Sequence, residues 1–304
     1  MEVYYQGTDI TNMVEVTACK VHDTAGKSDS LEIEFSNAAG WYSWGPEEDD
    51  TIIVSHNGYD SGIMYVNRIL PEEGYYRILA ASLPCSARAK ANKSFKGRTL
   101  AQIMKICAAG CGMEYALYGM NEDVVIPYIE QSDEGCASFL NKLLCLEGGV
   151  LKCVNGKLTA IGILYAQELK ARQTVEIAAD QEGVRYARSG ETLRSITVKN
   201  PFVQVTARDS AVSTKHRQLT VNLPALTSVQ AGRWATGKLL SENRKCESVV
   251  MKTAFNPSFT AMTRVDISGN TDAVGEWLVD DVEHDLFNLS TSVTMRRCIW
   301  TVGL

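Results

Sequence analysis

The stretch Ser30-Leu31-Glu32-Ile33-Glu34-Phe35 alternates strictly between apolar and polar residues, the signature of a strand with one buried and one wet face. Thr51-Ile52-Ile53-Val54 predicts the next strand, and Asn57-Gly58 after His56 supplies the chemistry of a tight hairpin turn. Two further strands are predicted around Met64 to Leu70 and Tyr75 to Ala80, separated by a turn at Pro71-Glu72-Glu73-Gly74. Residues 1–92 therefore predict a small antiparallel barrel or sandwich, interrupted by a loop from Asn37 to Asp50 that is rich in Gly, Pro and acids.

The period then changes from two to three or four. Leu100, Ile103, Met104, Cys107 and Cys111 fall on one helical face, with Thr99 placed to cap the helix and Gly110 and Gly112 to end it. A second helix is predicted from Ser132 or Asp133, burying Cys136, Phe139, Leu140, Leu143 and Leu144 and ending at Gly148-Gly149. Asn155-Gly156, set between the apolar runs 150–154 and 157–161, is the strongest short hairpin signal in the chain. Alternation returns at Leu219 to Leu223, around Trp277 to Val279 and at Val293 to Arg296, with one helix predicted from Ser228 to about Arg244. The fold class expected is mainly β with an α+β insertion: two small tube-like β-barrel domains, 1–92 and 176–304, flank a helix-containing domain at 93–175.

Composition changes this picture little. The chain has 304 residues, 45% hydrophobic and 22% charged, enough for two or three cores. A net charge of -6 argues against a nucleic-acid partner held by a basic surface. No apolar run reaches the roughly 20 residues of a membrane span, and Met1-Glu2-Val3-Tyr4-Tyr5 lacks the pattern of a signal peptide, so synthesis in a cytoplasm and no membrane anchor are expected. Nine scattered cysteines, an odd number, fit reduced, buried thiols better than disulfides. Cys107 and Cys111 could share a helix face, yet no second Cys or His pair completes a zinc spacing.

A search for catalysis is negative. The chain carries no Gly-x-Ser-x-Gly, P-loop, His-Glu-x-x-His or dinucleotide fingerprint. His22, His56, His216 and His284 stand in unrelated segments and suit surface or strand positions. Glycan cleavage would need a spaced carboxylate pair. The run Glu47-Glu48-Asp49-Asp50 suits a solvated loop instead, and Asp280-Asp281 a bulge or rim. Catalytic, cofactor and metal residues are therefore expected to be absent. Trp41 and Trp44 suit the end of a small barrel, or a subunit contact, better than a sugar platform.

These segments, in this order, resemble the phage late control protein D family, which includes contractile-tail baseplate hubs and the hub part of type VI secretion spike proteins. The resemblance begins at Val3-Tyr4-Tyr5-Gln6-Gly7-Thr8-Asp9-Ile10-Thr11 and continues through Trp41-Tyr42-Ser43-Trp44-Gly45-Pro46 into Asp49-Asp50-Thr51-Ile52. Its most specific part is the middle: Thr99 to Met104, Ser132 to Leu140, and Glu147-Gly148-Gly149 leading to Asn155-Gly156-Lys157-Leu158. Gly275-Glu276-Trp277-Leu278-Val279 is similar to the family's closing strand. Where the family often has a Pro-Gly-Asp turn, this chain has Phe259-Thr260-Ala261-Met262-Thr263, which puts the loop there in question.

The resemblance implies a structural baseplate hub of a contractile phage tail or tail-like bacteriocin. Three subunits with two barrels each would form a trimeric ring that adapts the six-fold tail tube to the three-fold spike. The implied partners are two further copies of the chain, a spike protein, a tail tube or tube initiator, and other baseplate proteins. With the sequence ending at Leu304, the spike and any lysozyme domain are expected on separate chains. The rival readings are a tail-associated peptidoglycan hydrolase, which would need an acid pair or a metal set, and a β-type receptor-binding module, which would have little use for two buried helices.

Overall fold

The computed structural model describes residues 1–36, 45–179 and 181–304. Its first region holds eight strands: β1 (Glu2–Tyr5), β2 (Thr8–Asp9), β3 (Val16–Thr24), β4 (Ser30–Ser36), β5 (Thr51–His56), β6 (Tyr59–Asp60), β7 (Met64–Glu72) and β8 (Tyr75–Ala81). They lie in the order β3-β4-β8-β7-β5-β1-β2, with β6 against β5, and every pairing is antiparallel. Strand β4 buries Leu31, Ile33 and Phe35 and exposes Ser30 and Glu32, as the alternation requires. Asn57 and Gly58 both take positive φ, 46° and 83°, which closes the β5–β6 hairpin by the predicted turn.

The middle region contains β9 (Ala91–Thr99), α1 (Leu100–Gly110), β10 (Glu114–Tyr118), β11 (Val125–Glu134), α2 (Cys136–Leu146), β12 (Gly149–Val154), β13 (Lys157–Gly162) and the short α3 (Ile163–Glu168). Thr99 caps α1 through a full capping box with Gln102. The second helix starts later than predicted. Ser132 and Asp133 lie in the bulge of β11 between the Gln131–Lys93 and Glu134–Ala91 pairs with β9, and Gly135 occupies the N-cap without a side-chain bond. The Asn155-Gly156 hairpin forms as predicted, with φ of 49° and 72°.

The last region is β14 (Gln173–Ile177), β15 (Val184–Arg188), β16 (Leu193–Lys199), β17 (Gln204–Asp209), β18 (Arg217–Asn222), α4 (Ser228–Arg244), β19 (Glu247–Ala254), β20 (Arg264–Gly269), β21 (Gly275–Asp285), β22 (Ser290–Arg297) and β23 (Val302–Gly303). Within it, β16, β17, β18 and β23 form a separate sheet whose core with α4 centres on Ile196, Val198, Ala231 and Trp234. The remaining strands form a second β half, β15-β19-β22-β21, with β20 and β14 continuing from β21. The span expected as one β unit from 176 thus contains two cores, because the 193–244 segment packs its apolar residues onto its own helix.

Strand β21 joins the two β halves. Its first residues pair with β20, and residues 281–285 pair with β3. Between them, at Val279/Asp281, the register against β22 shifts by one residue, the bulge expected at Asp280-Asp281. The result is one continuous 14-stranded sheet with a core on each half, Ile33, Phe35 and Tyr76 in the first and Val249, Trp277 and Met295 in the second. Among the described residues neither half closes into a barrel: the first ends on β2, and the second on β14 and β15.

Candidate functional site

The place where all three regions meet is the turn from Asp23 to Asp29. Ala25 N donates to Asp280 O of the second half at 2.9 Å, and Gly26 N donates to Leu151 O of the middle hairpin at 2.8 Å. Gly26 has φ +79°, and a Cβ there would stand 3.3 Å from Asn141 Oδ1 of α2. Glycine thus meets a backbone and a space requirement together.

Beneath this turn lies a buried ionic triad. Lys152 is the one charged residue of β12, a strand otherwise made of Gly149, Val150, Leu151, Cys153 and Val154. Its ammonium donates to Asp23 Oδ1, and to both oxygens of Asp29 at 3.2 and 3.0 Å. Asp29 Oδ1 also accepts from Thr24 N at 2.9 Å, and Asp23 Oδ2 from Ala261 N at 3.1 Å. The triad therefore ties β3, the hairpin and the 259–263 loop together. That loop is where the sequence departs from the family pattern; it buries Phe259, Ala261 and Met262.

Two carboxylates share one ammonium, which leaves one buried negative charge in excess. Burial pushes the Asp29 carboxyl up to about 7, with the Lys152 charge acting against it. For Lys152, burial favours the neutral amine, but the two carboxylates outweigh it and hold the pKa above the ordinary lysine value. Desolvation offsets much of the attraction within such a cluster, so losing one partner costs more than the intact cluster contributes.

The residues weighed for catalysis are not brought into a catalytic arrangement. His22 sits 3.3 Å from Glu283 at the surface. His284 is wholly buried, with Thr291 Oγ1 at 3.0 Å and Phe259 O at 3.1 Å, and burial lowers its pKa. In the acidic loop, Asp50 accepts from Tyr5 Oη, Gln6 Nε2 and Glu47 N, while Asp49 Oδ1 accepts from Cys85 N at 2.6 Å. These acids brace a turn. Asp280 is paired with Arg244 and Arg296, at 3.5 and 3.4 Å.

All nine cysteines are free thiols. Cys136 interacts with Cys107 and Cys111, whose thiols are driven well up by that bonding and by burial. Among the described residues no group of three or more His, Cys, Asp or Glu is disposed to hold a metal ion, and no helix is long and apolar enough to cross a membrane. Trp41 and Trp44 lie outside the described residues.

The surface offers a second feature, an apolar groove of about 450 Å³ where the middle region meets α4. Met120, Val124, Leu164 and Leu240 line it, and Glu147 at its base is held by Arg233 Nε at 2.7 Å and Trp234 Nε1 at 2.8 Å. Gly237 makes the approach possible, since a Cβ there would fall 2.3 Å from Leu146 O. Neither the triad nor the groove was singled out from the sequence. The signal for the first was a lone lysine in an apolar hairpin strand.

Comparison with solved structures decides the fold. The chain superimposes on the 43 kDa tail protein of prophage MuSo2 from Shewanella oneidensis with a TM-score of 0.75 at 15% identity, covering 97% of each chain. It does so equally on a tail protein from Neisseria meningitidis MC58, with a TM-score of 0.75 at 13% identity, over 99% of this chain and 97% of that one. The fold is that of phage tail proteins. A third tail-like match is the c3393 protein of E. coli, a component of the type VI secretion system with structural similarity to T4 bacteriophage tail proteins. Its TM-score is 0.61 at 10% identity, over 99% of this chain and 77% of that one. No family model matches the sequence, and no curated protein does. The mainly β architecture expected from the alternation, and a likeness to phage tail proteins, are thus found in the fold of the chain.

Proposed function

We propose that this chain is a structural baseplate hub of a contractile phage tail or tail-like particle, built into a homotrimeric ring between the tail tube and the spike. The observation that carries the reading is the end-to-end match to tail proteins, 97% of each chain for the MuSo2 protein. The edge-to-edge joining of two β halves through β21 supports it further. One subunit then presents two sheet units side by side, and three subunits present six, the number a six-fold tube needs. The contact that closes the ring is heterologous, one surface of a subunit against a different surface of the next. Trp41 and Trp44 are proposed to lie in or beside that contact. The chain acts by shape and not by catalysis. It is made in a bacterial cytoplasm and carried into the particle, with a spike protein on one face and other baseplate proteins around it.

Light scattering on the purified protein, alone and mixed with its candidate spike chain, tests the reading. A species near three times 33.4 kDa in either sample, before the spike mass is added, is the expected result. A monomer in both samples, with no spike bound, counts against the hub. Release of soluble fragments from peptidoglycan would replace the hub with a hydrolase.

A further inference from the structure

The sequence from Gly74 to Met113 contains no Asp or Glu, in a chain whose net charge is -6. Within it, Arg88, Lys90, Lys93, Lys96, Arg98 and Lys105 are all exposed. Lys90 pairs with Asp133 at 3.0 Å. Among the described residues, Lys93, Lys96 and Arg98 form no ion pair within 4.0 Å, and they stand opposite Gln131, Tyr128 and Ile126 on β11, none of them acidic. All three lie on β9. Its burial pattern exposes nearly every position and anchors the strand by one wholly interior side chain, Phe95, stacked on Phe139 at 5.4 Å.

Strand β9 pairs with β11 alone, so its other edge has no strand partner among the described residues. An open edge offers a row of backbone donors and acceptors that an extended chain can match. Here one face of the strand also carries Lys96 and Arg98 unneutralised, while Lys93 lies on the opposite face with Phe95, its ammonium near Gly110 of α1.

We propose that the free edge of β9 is a docking site for an extended acidic segment of a partner protein, which adds a strand to the β11–β9 ladder and meets Lys96 and Arg98 with its carboxylates. A nucleic acid fits the site less well. Phosphate sites draw on free helix N-terminal amides, and the first amides of the adjacent α1 are taken by Val124 O, Glu122 O and Thr99 Oγ1. Lysines on a strand edge can also serve only to repel unwanted pairing. The experiment separates the two roles.

The probe is a short fluorescent peptide alternating Glu and Val, titrated by anisotropy against the full chain at low salt. The controls are the same peptide with Pro for Val, a duplex DNA of equal charge, and the variant K96E/R98E. The wild type is expected to bind the Glu-Val peptide, and the variant to bind it several-fold more weakly, as the loss of two exposed charge contacts implies. The proline peptide keeps the charge but cannot pair as a strand, so it too is expected to bind several-fold more weakly. Equal binding by the variant, equal binding of the proline peptide, or tighter binding of the DNA each overturns the proposal. No binding of the Glu-Val peptide at low salt also overturns it and leaves the lysines as guards of the edge.

Discussion

The two β halves are similar in size and joined by one strand, yet they are built differently. The first is assembled from strands that follow one another within residues 2–81, and its pairings run mostly between neighbours in sequence. The second takes β14 and β15 from one side of residues 193–244 and β19 to β22 from the other. Its core turns on a wholly buried Trp277, whose Nε1 donates to Ala273 O at 2.7 Å while the Arg297 guanidinium lies 4.2 Å over its ring. The first half spreads its core over many aliphatic side chains with Phe35, Tyr59 and Tyr76 among them, and no tryptophan. Local pairing is expected to let the first half form earlier, since the second must close a long loop before its contacts repay the lost freedom.

The sharpest way to break this comparison is to cut each core separately. Trp277→Ala is expected to cost about 3–5 kcal/mol, and Ile33→Ala about 2–5 kcal/mol. Hydrogen exchange on each variant should show amides losing protection mainly in β19 to β22 for the first and in β3, β4 and β8 for the second. Uniform loss across both halves would mean that they open as a single cooperative unit.

Lys152→Met tests the junction. With Asp23 and Asp29 left buried and without a cation, denaturant melts should report a loss of about 3–5 kcal/mol. Adding Asp23→Asn and Asp29→Asn to it should restore much of that. If the single substitution is silent, the triad does not hold the regions together.

A third test is pH. The folded pKa of Asp29, about 7, lies above its ordinary value of 3.8, so the folded chain holds this proton more tightly than the unfolded chain. That contribution is complete below about pH 4 and is lost as the pH rises towards 7. The wild type should therefore lose ground to Asp29→Asn across that window, read as the difference between their melting midpoints. A constant difference would show Asp29 titrating alike in both states. The smallest expected effect is at the capping box: Thr99→Ala should cost about 1 kcal/mol, with exchange increasing only at the start of α1.

What could be read from the sequence follows the same division. Ser30–Phe35, the hairpin at Asn155-Gly156 and the α1 face with its Thr99 cap were legible because each is decided within a few residues. The bulge at Asp280-Asp281 was legible because paired acids seldom continue a ladder. Strand β9, with only Phe95 buried, and β11, interrupted by Pro127, gave no alternation to read, and the start of α2 was misplaced in consequence. Around Lys152, partners more than 120 positions away decide its environment, so a lone lysine in an apolar strand hinted at burial without naming its partners. The alternation of β16 to β18 does not say which sheet a strand joins, so the small sheet under α4 was expected as part of the second β unit.

The sharing of β21 between the halves also fixes how force would pass through the subunit. Five consecutive positions, from Asp281 against Thr24 to Asp285 against Lys20, cross from one half to the other. A pull along these strands loads all of those crossings at once, whereas a pull across them would peel them apart one by one. Tension directed along β21 would therefore move the two halves together, and the seam would yield more easily to a pull across it.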